Sequence, residues 1–324
     1  MKLQILVPQY KETDEDIRPL LDSIAMQQCI DFDDIGVIIC NDGTDVHLSK
    51  GFLSGYPYKI EYYLCEHRGV SATRNECLDR AIADYVMFCD ADDMFCDMTA
   101  LHVIFTEIGK WFDTLVSCFI EQGKHSQTGE MYLVKHEHDC TFVHGKVHRR
   151  GYLTENNIRF NDELTVHEDS YFNVLCQSLT ENVTYVENPF YMWKWRDESI
   201  CRRDPEYMLK TYPNVIMSND AIVEDLTMRG EPNKAIYHLI SMVYTVYYEM
   251  NKTEWMDEKN IKYRQKAEKR FAEYYAKWRD TWLKVKESEK VKISQEIRER
   301  AVREGMPMES MTIDAWLKRI EELI

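Results

Sequence analysis

The stretch Tyr85-Val86-Met87-Phe88-Cys89-Asp90-Ala91-Asp92-Asp93 decides the fold class of this 324-residue chain. An apolar run with aromatic and β-branched members predicts a buried strand, and the abrupt polar cluster predicts that its carboxyl end opens into a crevice. Three carboxylates this close raise one another's pKa unless a cation lies among them, and hard oxygen ligands suit Mg²⁺ or Mn²⁺. Taken alone, the stretch also fits a solvated turn followed by an aspartate N-cap.

The segments before this strand alternate between strand-like and helix-like patterns. Apolar runs predict strands at 3–8, 35–40 and 60–64, and helical spacing predicts helices at 14–28 and 70–83. Because each strand is apolar throughout, we expect an α/β fold with a mainly parallel sheet flanked by helices. The ends of the first, second and fourth strands then line the crevice.

The middle of the chain continues with less regular patterns. We predict a helix at 101–111, a strand at 114–121, a hairpin or mobile loop within 122–138, and a helix at 170–179. His136-Glu137-His138 has the spacing of a metal-ligand pair, although H-x-H on a polar strand is more often solvated.

The composition changes at about Pro205, after which long charged helices are expected and cysteine is absent. We therefore predict two domains, 1–204 and an all-helical C-terminal region at 205–324. Aromatic residues at helical spacing predict a packing seam that could also be an oligomer interface (Phe271, Tyr274, Tyr275, Trp278, Trp282). From Lys259 to Glu304 there are 15 Lys/Arg against 8 Asp/Glu, a local charge of +7 that fits a solvated helix surface or a docking face for a polyanion.

The composition is that of a soluble globular protein. The sequence is 44% hydrophobic and 30% charged, and its net charge of −16 argues against nonspecific binding of polyanions. Ten cysteines without a CxxC pair fit reduced, buried thiols. No signal peptide and no apolar stretch of membrane-spanning length is evident, so we expect a cytoplasmic protein, at most peripheral to the inner membrane surface.

Several motifs follow one another in an ordered set. They are V-P-Q-Y-K-E at 7–12, C-N-D-G-T-D at 40–45, H-R-G-V-S-A-T-R-N at 67–75, C-D-A-D-D-M-F at 89–95, K-V-H-R-R at 146–150, H-E-D-S at 167–170 and Y-M-W-K-W-R-D-E-S-I at 191–200. Over residues 1–203 this set resembles the family-2 glycosyltransferases of the GT-A fold. The resemblance implies an inverting enzyme that moves one sugar from a nucleotide-diphosphate donor, most often a UDP-sugar, to an acceptor hydroxyl.

The resemblance also implies roles for individual residues around the donor. Pro8, Tyr10 and Glu12 would face the nucleotide, Asp42 would hydrogen-bond the base, and Arg74 would lie near phosphate or ribose. Asp90 and Asp92 match the D-x-D motif, with Asp90 towards ribose or metal and Asp92 as a direct ligand of Mn²⁺ or Mg²⁺.

The same resemblance implies a catalytic base and a group of phosphate-binding cations. Asp169 would be the base that removes the acceptor's proton, with Glu168 beside it, although both could simply cap a helix. Basic residues suited to the diphosphate or to a closing loop are Lys146, Arg149, Lys194 and Arg196. The Q-x-x-R-W signature of processive polysaccharide synthases is absent, which favours addition of single sugars.

Two other functions stay open at this point. A nucleotidyltransferase would also use paired carboxylates, but it usually carries a glycine-rich loop after the first strand, which V-P-Q-Y-K-E lacks. A catalytically inactive sugar-nucleotide-binding scaffold is disfavoured by the intact Asp92 and Asp169. The acceptor could be a glycan, a glycolipid precursor, a protein or a modified nucleic acid.

Overall fold

The computed structural model describes residues 1–139, 141–197, 199, 204, 206–303, 305 and 311–324. The chain divides into two compact units, Met1–Asp197 and Glu198–Ile324. The predicted division after residue 204 stays a prediction, since residues 200–203 and 205 lie outside the described residues. Glu198 and Ile200, two residues of the motif at 191–200, also lie outside the described residues.

The amino-terminal unit is built on one mixed sheet. Its strands are β1 (Leu3–Gln9), β2 (Ile35–Asn41), β3 (Lys59–Leu64), β4 (Tyr85–Phe88), β5 (Met94–Phe95), β6 (Thr114–Lys124), β7 (Met131–His136), β8 (Lys146–Arg149) and β9 (Val183–Trp193). They lie in the order β3-β2-β1-β4-β8-β6-β9-β5, and β7 pairs with β6. Strands β3, β2, β1 and β4 are mutually parallel, as predicted, so their carboxyl ends lie at one edge of the sheet.

Burial explains why the first and fourth strands form the centre of this sheet. Leu3, Ile5 and Leu6 of β1 and Met87 of β4 are fully buried, and Ile5 pairs with Met87. Side chains on both faces of these strands are therefore removed from water, which is typical of a parallel sheet covered on both faces.

Helices flank the strands of this unit. They are α1 (Asp14–Ala25), α2 (Lys50–Leu53), α3 (Val70–Arg80), α4 (Ala100–Ile108), α5 (Arg150–Glu155) and α6 (Glu168–Ser178), with a 3₁₀ turn at Phe32–Asp34. Thr13 starts α1 through a capping box with Asp16. The helix ends before the predicted residue 28 because the Gln28 amide donates to the Met98 carbonyl (2.8 Å), a tertiary bond that helical continuation would break.

The predicted hairpin within 122–138 is confirmed. Strand β6 continues to Lys124 and turns into antiparallel β7, which pairs Gln122 with Leu133. His136 stacks on Phe119 (4.4 Å between centroids) and its Nε2 lies 2.8 Å from Glu121 Oε2. His136 therefore has a protein partner and packs on the sheet.

The carboxy-terminal unit is helical in its described residues. Its helices are α7 (Tyr207–Met228), α8 (Pro232–Glu249), α9 (Thr253–Met256), α10 (Ile261–Lys284), α11 (Glu287–Arg303) and α12 (Ile313–Glu321), with a 3₁₀ turn at Glu258–Asn260. The aromatic seam is confirmed as core for Phe271, Tyr274, Tyr275 and Trp282, which are buried within the unit. Trp278, the fifth predicted member, is half-buried, and its indole N–H donates to Asp220 (2.8 Å). Because the seam is used internally, an oligomer would need another surface.

The basic segment at 259–304 is neutralised in part by neighbouring carboxylates. Lys277 Nζ lies 2.9 Å from Asp220 and 3.0 Å from Glu224 of α7, and Arg279 lies 2.6 Å from Glu321. These pairs favour the solvated helix surface over a polyanion-docking face, because part of the local positive charge is compensated within the unit.

The predicted α/β class with a helical C-terminal region is confirmed. In the described part of the chain, every cysteine is a free thiol, and Cys40, Cys77, Cys89, Cys118 and Cys176 are buried, as expected for reduced thiols. Within the same described residues, each helix is too short or too polar to cross a bilayer.

Candidate active site

Arg74 of α3 joins the carboxylates at the end of β4 to those at the start of α6. One terminal nitrogen lies 3.0 Å from Asp90 Oδ1, and the other lies 2.9 Å from Glu168 Oε1 and 2.5 Å from Asp169 Oδ1. The Arg74 side chain is 4% exposed. Burial opposes its charge, yet Asp169, Asp90 and Glu168 together raise the pKa of the guanidinium, so Arg74 is a permanent cation here.

Glu168 and Asp169 differ in protonation although they are adjacent. Burial, followed by the charge of Asp169, raises the pKa of Glu168 to about 8. Burial also acts against the charge of Asp169, but Arg74 and a hydrogen bond from Glu168 outweigh it and lower the pKa of Asp169. At neutral pH Asp169 is therefore the ionised member and Glu168 the protonated one, a division that suits Asp169 to the role of base.

The backbone places this pair through an unusual turn. His167 has φ 64° and ψ 20°, the left-handed conformation, immediately before α6 begins at Glu168. A non-glycine residue in this conformation costs free energy, so the surrounding structure must impose it. The turn puts both carboxylates in the first helical turn, where the helix dipole favours negative charge.

Asp92 is held by a second cation. Arg196, which follows β9, places a terminal nitrogen 2.8 Å from Asp92 Oδ2 and lies 3.8 Å from Glu12 and 3.6 Å from Asp16. These side chains are 21–36% exposed. The predicted metal ligand Asp92 and the predicted phosphate cation Arg196 are thus direct neighbours.

Asp93 and Tyr191 form a buried support that the sequence analysis did not assign to the site. The Tyr191 hydroxyl donates to Asp93 Oδ2 and accepts from the Asp90 amide (3.0 Å), while the Lys194 amide donates to Asp93 Oδ1 (2.9 Å). Burial, then the charges of Asp92 and Asp90, raises the pKa of Asp93. The sequence signals were that Asp93 is the third carboxylate of the cluster and that Tyr191 begins the motif at 191–200.

The donor atoms around Asp90 fit a divalent cation. Asp90, Asp93 and His144 each offer a ligand atom, and these atoms lie within 4.8 Å of one another. Burial lowers the pKa of His144 to about 3, so its imidazole is neutral and can donate a lone pair. Oxygen ligands with one imidazole suit Mn²⁺ or Mg²⁺, and Asp90 belongs both to this set and to the predicted Asp90 and Asp92 pair.

The ends of β1 and β2 carry a further cluster. Tyr10 stacks on His67 with ring centroids 5.2 Å apart and remains 42% exposed. Asp42 is buried and accepts from the amides of Arg68 (2.8 Å) and Gly69 (3.1 Å) and lies 2.9 Å from His67 Nδ1. Asp42 therefore fixes the loop at 67–69 and, through it, the ring that packs on Tyr10.

The remaining predicted residues lie in different surroundings. Lys146 is buried, and its ammonium donates to the carbonyls of Phe142 and His144. Pro8 is half-buried in β1 opposite Cys40, and its nucleotide role, like that of Lys146, stays a prediction.

The prediction is wrong for Arg149. It pairs with Asp113 (2.9 Å) and Glu155 (3.2 Å) and lies opposite Tyr85, at the start of β4, whereas the carboxylates follow the end of that strand.

The model of the family described as Glycosyl transferase family 2 matches residues 4–172. Among curated relatives, EpsH of Bacillus subtilis (strain 168), which carries a provisional glycosyltransferase name, is 24% identical over 259 residues, 72% of each chain. The poly(ribitol-phosphate) β-N-acetylglucosaminyltransferase TarS of Staphylococcus aureus is 22% identical over 222 residues, which cover 65% of this chain and 38% of TarS.

Solved structures share the fold. The crystal structure of S. aureus TarS 1–349 superposes with a TM-score of 0.63 at 15% identity, covering 95% of this chain and 93% of that chain. The same fragment has been solved with UDP (TM-score 0.61, 16% identity). A mannosyltransferase from Pyrobaculum calidifontis in complex with GDP-Man and Mn²⁺ gives a TM-score of 0.51 at 12% identity, covering 99% of this chain and 84% of that chain.

These findings agree with the motif order and with the α/β sheet whose carboxyl edge carries the clustered aspartates. They favour a transferase over the nucleotidyltransferase and scaffold alternatives. The family match includes strands β1 to β8, the aspartate cluster and the Glu168–Asp169 pair, and it covers more than half of the chain. The chain belongs to Glycosyl transferase family 2 and is a glycosyltransferase.

Proposed function

We propose that this protein moves one sugar from a nucleotide-diphosphate donor, a UDP-sugar, to an acceptor hydroxyl with inversion at the anomeric carbon. The observation that carries the proposal is the Arg74 bridge, because one guanidinium holds both Asp90, on the predicted donor side, and Asp169, the predicted base. The UDP complex of the TarS fragment supports the choice of donor.

The nucleotide would lie across the carboxyl ends of β1 and β2. Tyr10, exposed and stacked on His67, offers an aromatic face to a base, and Asp42 keeps the 67–69 loop in place beneath it. Pro8 and Glu12 flank Tyr10 in the sequence, and the Glu12 carboxylate accepts from the Tyr10 amide (2.8 Å), which orients this segment. An aromatic ring with a polar loop beside it binds a planar base by stacking and by hydrogen bonds.

The diphosphate would lie over the aspartates that follow β4. Asp90 with Asp92, or Asp90 with Asp93 and His144, would hold a Mn²⁺ or Mg²⁺ ion. When bound, the ion neutralises negative charge that develops on the leaving diphosphate. Arg74 and Arg196 are the cations beside these carboxylates, and both carry guanidinium groups that can pair with phosphate oxygens.

Asp169 would take the proton from the acceptor hydroxyl as it attacks the sugar. The carboxylate is ionised at neutral pH, and the Val143 amide and Arg74 orient its two oxygens. Glu168, protonated and adjacent, donates to Asp169 and keeps the pair from carrying two charges. A base on the face opposite the leaving group inverts the anomeric configuration.

The test measures binding and hydrolysis of UDP-, GDP-, CDP- and TDP-sugars with Mn²⁺, Mg²⁺ or EDTA. We expect a UDP-sugar to bind in a metal-dependent manner, and we expect Asp92→Ala to lose that dependence. Asp79→Ala, which changes an exposed carboxylate paired with Arg159, is the matched control. Equal binding of all nucleotides, or binding of UDP-sugar that is unchanged by EDTA and by Asp92→Ala, would contradict the proposal.

A further inference from the structure

A second group of potential metal ligands lies outside the aspartate cluster. Cys118 of β6, His138 just after β7 and Glu187 of β9 each offer one ligand atom, and these atoms lie within 4.8 Å of one another. The three residues come from different elements of the sheet, so their approach is a property of the fold and not of sequence proximity.

The backbone departs from regular geometry at each of these residues. Between the pairs Ser117–Val186 and Phe119–Tyr191 the register shifts, so that Cys118 alone on β6 faces residues 187–190 of β9. His138 has a φ of 44°, in the left-handed region. Bulges and left-handed residues re-aim side chains and recur at functional sites, and here they direct three ligand types to one point.

The separation between two of these ligand atoms fits a tetrahedral metal site. His138 Nε2 and Glu187 Oε1 are 3.5 Å apart. Two ligands held at about 2.0–2.2 Å from one zinc ion at the tetrahedral angle are separated by roughly 3.3–3.6 Å. The Lys135 ammonium lies 4.0 Å from Oε2, the other oxygen of Glu187. His138 and Lys135 therefore face different oxygens of the same carboxylate.

The chemistry of the ligands selects the metal. A thiol, an imidazole and a carboxylate form a soft-to-borderline set that prefers Zn²⁺ to Mg²⁺ or Mn²⁺. Cys118 is fully buried and is a free thiol, whereas Glu187 is 75% exposed. One side of the site is therefore shielded from water, and the other side is open to solvent. The open side gives an ion an entry path and leaves a fourth position for water.

We propose that Cys118, His138 and Glu187 bind a zinc ion that ties the β6–β7 hairpin to β9. Binding converts the Cys118 thiol to a thiolate and releases its proton to solvent. The site is separate in its ligands from the aspartate cluster and does not depend on the proposed sugar transfer. Its function is structural: an ion shared by three elements holds the irregular part of the sheet in one register.

The experiment titrates the metal-free full-length protein, without a histidine tag, with Co²⁺ and then displaces it with Zn²⁺. We expect one equivalent of Co²⁺ to produce the near-ultraviolet thiolate-to-cobalt charge-transfer band, and one equivalent of Zn²⁺ to abolish it. Cys118→Ser should remove the band. His138→Gln should weaken binding by at least about tenfold, because the loss of a hydrogen-bond partner of a ligand alone costs about 10–100-fold.

Three further variants keep the outcome decisive. Glu187→Gln keeps the size of a side chain that is 75% exposed, so we expect an unchanged unfolding transition. Weaker Co²⁺ binding at an unchanged unfolding transition would then report the loss of a ligand. His136→Gln, which alters the neighbouring histidine paired with Glu121, and Asp90→Asn, in the aspartate cluster, should both keep the band. Absence of the charge-transfer band in the wild type, or its survival in Cys118→Ser, would overturn the proposal.

Discussion

Buried and half-buried carboxylates occur in both units of the chain, but the number of guanidinium groups that neutralise them differs. At the carboxyl edge of the sheet, Asp90, Asp92, Asp93, Glu168 and Asp169 have two guanidinium groups among them, those of Arg74 and Arg196. In the helical unit a single buried carboxylate, Glu268, pairs with two guanidinium groups, those of Arg264 (3.0 Å) and Arg319 (2.6 Å).

At the carboxyl edge of the sheet, two of the carboxyl groups have raised pKa values. Burial together with neighbouring carboxylates raises the pKa of Asp93 and brings that of Glu168 to about 8. Uncompensated negative charge of this kind costs stability and favours any added cation. We infer that the acidic edge is kept for ligand binding and chemistry, whereas the paired charges of the helices serve packing.

The strongest test of this distinction is Asp169→Asn. Loss of a general base lowers the rate of the chemical step by about 10²–10⁴, so transfer should fall by roughly a thousandfold while the Kd for donor changes by less than about threefold. Single-turnover transfer and donor titration measure the two quantities. Asp79→Asn serves as the control, and transfer at the wild-type rate in Asp169→Asn would remove Asp169 from the mechanism.

The pH dependence of stability offers the next test. The pKa of Glu168 is raised from an ordinary value of 4.5 to about 8, so the folded protein holds a proton that the unfolded chain releases. Its stabilising contribution is complete below about pH 4.5 and is lost as the pH rises through about 8. We expect the wild type to lose on the order of 3 kcal/mol relative to Glu168→Gln between pH 5 and pH 8.

Denaturant unfolding of both proteins across this range measures the difference. Asp169 has a lowered pKa, so its contribution to stability is lost as the pH falls, not as it rises. That loss begins below about pH 4, the ordinary pKa of an aspartate, and therefore lies outside the range from pH 5 to pH 8. Parallel pH profiles for the wild type and Glu168→Gln would show that Glu168 is ionised in the folded state.

Arg196 gives a test at the metal ligands. Its guanidinium lies 2.8 Å from Asp92 and also faces Glu12 and Asp16, where it partly neutralises the charge that would attract a divalent ion. We expect Arg196→Gln to bind Mn²⁺ about tenfold more tightly in the absence of nucleotide, a change of about 1.4 kcal/mol. Electron paramagnetic resonance of free Mn²⁺ measures the affinity.

The control for this experiment is Arg68→Gln, which removes an exposed guanidinium paired with Asp162. Asp92→Asn in the Arg196→Gln background should reverse the gain. Unchanged or weaker Mn²⁺ binding in Arg196→Gln would mean that Arg196 does not compete with the ion for Asp92.

The position of the aspartate cluster was predictable from local sequence, because strands that end in polar residues indicate the carboxyl edge of a parallel sheet, where ligands bind. Asp90 and Asp92 were predicted in this way, whereas Asp169, in the first turn of a helix, was predicted only from the family resemblance of its motif. The Arg74 bridge to Glu168 and Asp169 spans 94 and 95 residues, and the Tyr191 bond to Asp93 spans 98. Such pairs depend on how strands are ordered in space, which the periodicity of single segments does not encode.

Arg149 is a residue that local sequence assigned to the site and that the fold places elsewhere. It stands in the K-V-H-R-R motif close to Lys146, but β8 runs antiparallel to β4 and carries Arg149 towards the opposite edge of the sheet. The prediction that Arg149 lies near the diphosphate was therefore wrong, although Arg149 is only three residues from Lys146. In the helices, by contrast, the spacing of Phe271, Tyr274, Tyr275 and Trp282 was sufficient, because a buried helical stripe is a local property.

The smallest expected effect concerns the helical unit. Glu268→Gln keeps the size of the side chain but removes the charge that Arg264 and Arg319 share, and both arginines are exposed enough to be solvated (21% and 37%). We therefore expect a loss of about 1 kcal/mol in the free energy of unfolding, with kcat unchanged. Glu273→Gln, on the exposed side of the same helix, should change the free energy of unfolding by less than about 0.5 kcal/mol. If Glu268→Gln instead lowered kcat at unchanged stability, the paired charges of the helices would belong to the chemistry, and the distinction between the two regions would fail.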